Sequence, residues 1–156
     1  MRKIILIAAI FLLFAGMASA GEEYLADTDF EPSDFRGVRW QERLDAISDM
    51  EELYREEDGS EIICSRKEED LRFGDAELES IEYRFVDGKL STVSVVAKGE
   101  KNQKALFDEA RSMFGRETLN MGEDYMWRFT DVMVMYSVEP DEQSVLFYKY
   151  IGFMNR

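Results

Sequence analysis

Ser80-Ile81-Glu82-Tyr83-Arg84-Phe85-Val86, then Asp87-Gly88, then Lys89-Leu90-Ser91-Thr92-Val93-Ser94-Val95-Val96-Ala97-Lys98 is the stretch on which the fold turns. Ile81, Tyr83 and Phe85 alternate with Glu82 and Arg84, the period of a strand with one face buried. Asp-Gly between two such runs is the signal of a tight hairpin. Two registers compete: a two-residue turn at Asp87-Gly88, or a three-residue turn with Gly88 left-handed as a bulge. The apolar set must meet apolar partners, because a slip of one residue turns every side chain over. The bulged register sets Ile81 opposite Val93 and keeps Val95 and Ala97 on that face. The tight turn would set Ile81 against Ser94, so the bulged register is expected.

Beyond the hairpin, Leu106, Phe107, Ala110, Met113 and Phe114 recur at helical spacing, which predicts a helix over 102–114. Glu100 and Lys104 stand in the favourable i,i+4 order, and Gly115 supplies a left-handed stop. A loop through Asn120-Met121-Gly122 leads to three expected strands, 125–130, 132–138 and 144–151. In the second of these, Val132, Val134, Tyr136 and Val138 alternate with Met133 and Met135. Both faces are apolar, so that strand should be interior to the sheet and covered on each side.

Before the hairpin, Leu44, Ile47, Met50 and Tyr54 fall three and four apart, which predicts a helix over 41–57 ended by Asp58-Gly59. Its other sides carry Glu42, Asp45, Asp49, Glu52 and Glu56, whose i,i+4 repulsion only packing could offset. Ile62, Ile63 and Cys64 then make a short strand, 66–70 a charged turn, and Leu71 with Phe73 a second short strand. The expected class is α+β: a mostly antiparallel sheet with two main helices packed on it.

Met1-Arg2-Lys3 precedes twelve residues without a polar side chain and then Ala18-Ser19-Ala20, the layout of a signal peptide over 1–20. The apolar run is too short for a spanning helix, and Gly21 stands where a lipoprotein would need cysteine. A periplasmic or secreted protein without a stable membrane anchor after cleavage is expected, with 21–34 a flexible acidic leader and 35–156 a single domain. The 156 residues hold 33 acids, 19 bases and no histidine, a net charge of −14. The acids crowd into the first half: 21–80 carries 21 acids and 7 bases, 81–156 carries 12 and 10. Such a field repels nucleic acid and anionic lipid and attracts cationic proteins or divalent cations.

At Phe35-Arg36-Gly37-Val38-Arg39-Trp40, with Glu77-Leu78-Glu79-Ser80-Ile81 and Asp87-Gly88-Lys89-Leu90, the chain resembles small exported bacterial proteins of unassigned function. Their motif is F-R-G-x-x-W-G, and Gln41 replaces its last glycine. In element order the chain is also similar to outer-membrane assembly lipoproteins of BamE type and to β-lactamase-inhibitor-like domains. That is a likeness of architecture and implies no function.

The absence of histidine removes the commonest general base, and one cysteine removes metal clusters and an internal disulfide. No phosphate-cradling glycine loop, G-x-S-x-G elbow or S-x-x-K dyad occurs. No catalytic, cofactor-binding or metal-binding residue is assigned, and no cofactor is expected. Asp27, Asp29, Glu31 and Asp34, and Glu56-Glu57-Asp58 with Glu61, are the densest oxygen donors for a cation such as calcium. Cys64 reads as a buried filler or an intermolecular disulfide. Trp40 reads as the plug of the first helix or an interface anchor. Tyr125, Trp127, Phe129, Tyr136, Phe147, Tyr148 and Tyr150 concentrate in the last strands, where Leu146, Tyr148 and Tyr150 share one face and Val145, Phe147 and Ile151 the other. One row would form a binding surface or dimer face if the sheet lacked a second cover. The expected function is an exported non-catalytic binding or assembly protein that takes another envelope or secreted protein, with a homodimer possible. A divalent-cation-responsive protein and a carboxylate-only hydrolase are the alternatives.

Overall fold

The computed structural model describes Ala26 and residues 30–152. The expected signal segment, Asp27 and Asp29 lie outside the described residues. A nine-stranded sheet dominates, and every strand pair in it is antiparallel. In chain order the strands are β1 (Asp34–Phe35), β2 (Val38–Arg39), β3 (Met50–Arg55), β4 (Glu61–Arg66), β5 (Arg72–Phe73), β6 (Ala76–Val86) and β7 (Lys89–Lys98). Helix α1 (Glu100–Phe114) follows, then β8 (Leu119–Asn120), β9 (Tyr125–Arg128), β10 (Val132–Glu139) and β11 (Gln143–Tyr150). Across the sheet they run β3-β4-β6-β7-β11-β10-β9-β8, with β5 on the far end of β6 and β1-β2 a separate small hairpin.

The expectation of two main helices is overturned, since α1 is the single α-helix among the described residues. Residues 41–57 fold instead as a 3-10 turn, Leu44–Ala46, followed by β3. The apolar spacing was sound but its period was misread. Leu44, Ile47 and Met50 do pack against the core, three apart, which is the period of a 3-10 turn as well as of a helix. Tyr54 breaks from them, paired with Ile63 beyond a bulge at Leu53. Acids at i,i+4 gave the α-helix nothing to offset the loss, and β4 offered β3 a complete hydrogen-bond ladder.

The central hairpin forms with a different register from the one expected. Val86 faces Lys89 across a two-residue turn, with Asp87 and Gly88 both left-handed at φ 50° and 74°. The extra residue is Ser91, inside β7, because Arg84 pairs with Thr92 but Phe85 with Leu90. Ile81 therefore meets Val95 and not Val93. The face is the one predicted, because the two registers differ by an even number of residues.

Helix α1 covers 100–114, two residues longer at its start than its apolar stripe suggests, and stops at Gly115, φ 72°. Lys104 pairs forward with Asp108 rather than back to Glu100. The helix crosses the sheet and buries Leu106, Ala110 and Phe114. Phe114 touches Trp127, Phe129 and Tyr148, and Phe107 lies against Tyr125, Trp127 and Tyr136. Burying such rings is worth roughly 1.5–3 kcal/mol each and makes this layer the main source of stability. β10 lies inside the sheet between β9 and β11, as expected, with five of its eight residues buried.

Candidate functional site

Both aromatic rows of the last strands are consumed by packing. Leu146 and Tyr148 join the core under α1, and Val145 and Phe147 form a second small cluster with Val96 on the opposite face. Neither row is exposed, so the aromatic binding surface that the sequence suggested is not present in these strands. On that opposite face, strand registers set Arg84, Thr92, Lys149, Met133 and Arg128 side by side in one row. Burial, and then the charge of Arg84, push the Lys149 pKa below the usual lysine value. Arg84 is itself paired with Glu61 at 3.1 Å.

The Phe35-to-Trp40 stretch is the structural knot of the first half. Asp34 accepts the Gly37 N–H at 2.9 Å, and Arg36 and Gly37 are both left-handed, φ 51° and 83°. This closes β1 on β2 and lays Phe35 edge-on against Tyr83 and Tyr148. The Arg36 guanidinium donates to the carbonyls of Asp70 and Arg72 and reaches Glu69 Oε1 at 3.3 Å. The Tyr83 hydroxyl donates to the same Glu69 oxygen at 2.6 Å. Arg66 closes the cluster, donating to the Arg36 carbonyl at 2.9 Å and to Asp49 at 2.6 Å.

Electrostatics follow from these bonds. Hydrogen bonding to Arg66 pulls the Asp49 pKa below the usual carboxylate range, and the same bond raises Arg66. Burial, then the bond to Glu69, pushes the Tyr83 hydroxyl well above the usual phenol value. A tyrosine, a carboxylate and two guanidiniums are a credible acid-base set by type. Here each is spent tying β1-β2, the 66–72 turn and β6 together. The sequence held two signs of this cluster, the arginine of the motif and the charged turn 66–70, but not their meeting.

Trp40 is half-buried, stacks on Tyr148 and donates its ring N–H to the Pro32 carbonyl at 2.7 Å. It plugs the sheet behind the β1-β2 hairpin, since the helix it was expected to cap does not form. Beside it, Gly37, Arg39, Gln41 and Glu42 complete an open depression of about 520 Å³. Cys64, on β4 opposite Glu52 of β3, is buried in the core, and burial lifts its thiol pKa to about 11. An unreactive filler fits that position.

Of the two expected oxygen clusters, Asp27 and Asp29 lie outside the described residues, and described members of both are engaged elsewhere. Asp34 caps the Gly37 turn and Glu31 accepts the Asp131 N–H at 2.5 Å. Asp58 accepts from Ser60, and Glu61 is held by Arg84. Among the described residues no group of three or more acids or cysteines is placed to hold a metal ion. The stretch read as leader has fixed points: Ala26 N–H donates to the Arg128 carbonyl at 2.7 Å, and the Phe30 ring stacks on Phe114. No described helix is long and apolar enough to cross a membrane.

What stays exposed is the acidic margin. Among the described residues β3 is the last strand on its side of the sheet, and none of its six residues is buried. Over 50–58, Glu51, Glu52, Glu56, Glu57 and Asp58 meet one cation, Arg55, which is held by Glu52 at 2.5 Å. No protein-family model, curated protein or solved structure matches the chain.

Proposed function

We propose that the chain is an exported, non-catalytic binding or assembly protein, and that its partner is a cationic envelope or secreted protein. The observation that carries this reading is the split of the molecule's charge against its burial. The aromatic half is closed into the core, whereas the acidic half lines an exposed margin where five carboxylates face solvent around one paired arginine. A field of that sign steers cationic surfaces toward it and turns anionic ones away. The polar cluster around Arg36 supports the same reading, because its donors and acceptors are occupied with one another.

The test is affinity capture by the purified protein from an envelope fraction, followed by mass spectrometry and a salt series. Enrichment of a basic protein, weakened steadily by salt, is the expected result. Turnover of a substrate by the purified protein, abolished by one carboxylate-to-amide change, would overturn the reading.

A further inference from the structure

Among the described residues β3 leaves one edge of the sheet open, and this edge differs from the other. The opposite end closes with β8, two residues long, whereas β3 offers six. The β3-β4 ladder runs on past the strand at both ends, through Lys67 N–H to the Asp49 carbonyl and Glu56 N–H to the Glu61 carbonyl. Alternate N–H and C=O groups of an edge strand point away from the sheet and can take a further strand. Six residues span roughly 20 Å, enough for one short extended segment. Leu53, at the bulge, is among the exposed large apolar side chains of the molecule.

We propose that the outer edge of β3 is the docking site, and that its occupant is an extended, lysine- or arginine-rich segment of the partner, added antiparallel or parallel as one more strand. This rests on the binding reading above and names the place and the form. Charge selects the occupant. A second copy of this chain would bring its own Glu51, Glu52, Glu56, Glu57 and Asp58 against the same acids, so self-pairing of β3 is opposed. An alternating cationic strand meets carboxylates along the edge while its backbone completes the ladder.

The probe is a peptide of about eight residues alternating Lys and Thr. It is compared with Lys-Pro and Glu-Thr peptides of equal length, and read by amide hydrogen exchange and chemical shifts of the protein. The Lys-Thr peptide should slow exchange within Met50–Arg55 and bind more weakly as salt is raised. In the Lys-Pro peptide every second residue is fixed near φ −65°, well away from the roughly −140° of an antiparallel ladder, and lacks its N–H, so this peptide should lose the protection. Glu51→Lys with Glu57→Lys, both exposed positions, should keep the melting midpoint and weaken the Lys-Thr peptide about tenfold. Equal binding of the Lys-Pro peptide, protection confined elsewhere, no binding, or dimerisation through β3 without peptide would each overturn the proposal. If the double variant unfolds, the three-peptide comparison on the unaltered protein decides alone. An envelope partner that both the unaltered protein and the folded double variant capture would leave the binding function standing and remove this site.

Discussion

β7 and β3 belong to one sheet, yet β7 buries seven of its ten residues and β3 none of its six. Around β7, strands are held by area: β6 and β11 flank it and α1 lies across it. Around β3, the chain is held by directional polar contacts, chiefly Arg36 and Arg66 reaching backbone carbonyls and carboxylates. The lesson is that the acidic half does not need a large core of its own. It is pinned to the core made by the other half, which frees its outer margin to carry charge.

The largest test of that contrast is Phe114→Ala. Phe114 is fully buried amid Trp127, Phe129 and Tyr148, so its removal should cost about 3–5 kcal/mol in urea melts. Leu53→Ala, an exposed apolar residue on β3, should stay within about 0.5 kcal/mol. Similar costs at the two positions would break the contrast.

Next in size is Arg36. Its guanidinium serves two carbonyls and Glu69 at once, a fork that an ammonium does not reproduce. Arg36→Ala should cost about 2–3 kcal/mol, and Arg36→Lys should recover less than half of it. Glu69 is nearly buried, so loss of its counter-charge is part of that cost. A double-mutant cycle with Glu69→Gln separates the ion pair from the carbonyl bonds. Full rescue by lysine would show that charge alone pins the first half.

Two buried tyrosines sharpen the comparison further. Tyr83 gives its hydroxyl hydrogen to Glu69, whereas the Tyr148 hydroxyl has no hydrogen-bond partner among the described residues. Tyr83→Phe should therefore cost about 1–2 kcal/mol, and Tyr148→Phe should be neutral or stabilising by up to about 1 kcal/mol. Thermal melts of the two variants, paired with the unaltered protein, read the difference.

Much of the β7 half was legible in the sequence, for a physical reason. Alternation at Ile81, Tyr83 and Phe85 reports the buried face of β6, Val93 and Val95 meet that face across the hairpin, and the stripe of α1 reports its packing side, so local pattern and tertiary burial agree. The hairpin register was missed because a two-residue turn and a bulge at Ser91 together preserve parity, which is all that alternation encodes. The first half was misread where pattern and burial part company. Leu44, Ile47 and Met50 keep helical spacing through a 3-10 turn and an irregular link, and β3 carries no buried residue to betray its period. The Arg36 cluster was beyond reach, because its members, Asp49, Arg66, Glu69 and Tyr83, are joined only by the fold.

The smallest effect concerns two carboxylates, one in each half, with opposite shifts. Hydrogen bonding to Arg66 lowers Asp49, whereas burial raises Glu82, with Arg84 partly opposing it. A lowered carboxylate contributes stability above its unfolded pKa, near 4, and loses it as pH falls through the folded value. A raised one does the reverse: its penalty is complete above the folded pKa and vanishes below the unfolded value, about 4.3. Glu82→Gln should thus stabilise the protein near pH 7 by less than about 1 kcal/mol, a figure kept small because the side chain is only partly buried, and should change nothing near pH 3. Asp49→Asn should destabilise near pH 7, with the difference shrinking toward pH 3. Urea melts across that range check both signs. Destabilisation by Glu82→Gln at neutral pH would mean that Arg84 outweighs burial there, and that directional pairing holds the outer face of β6 as it holds the edge at β3.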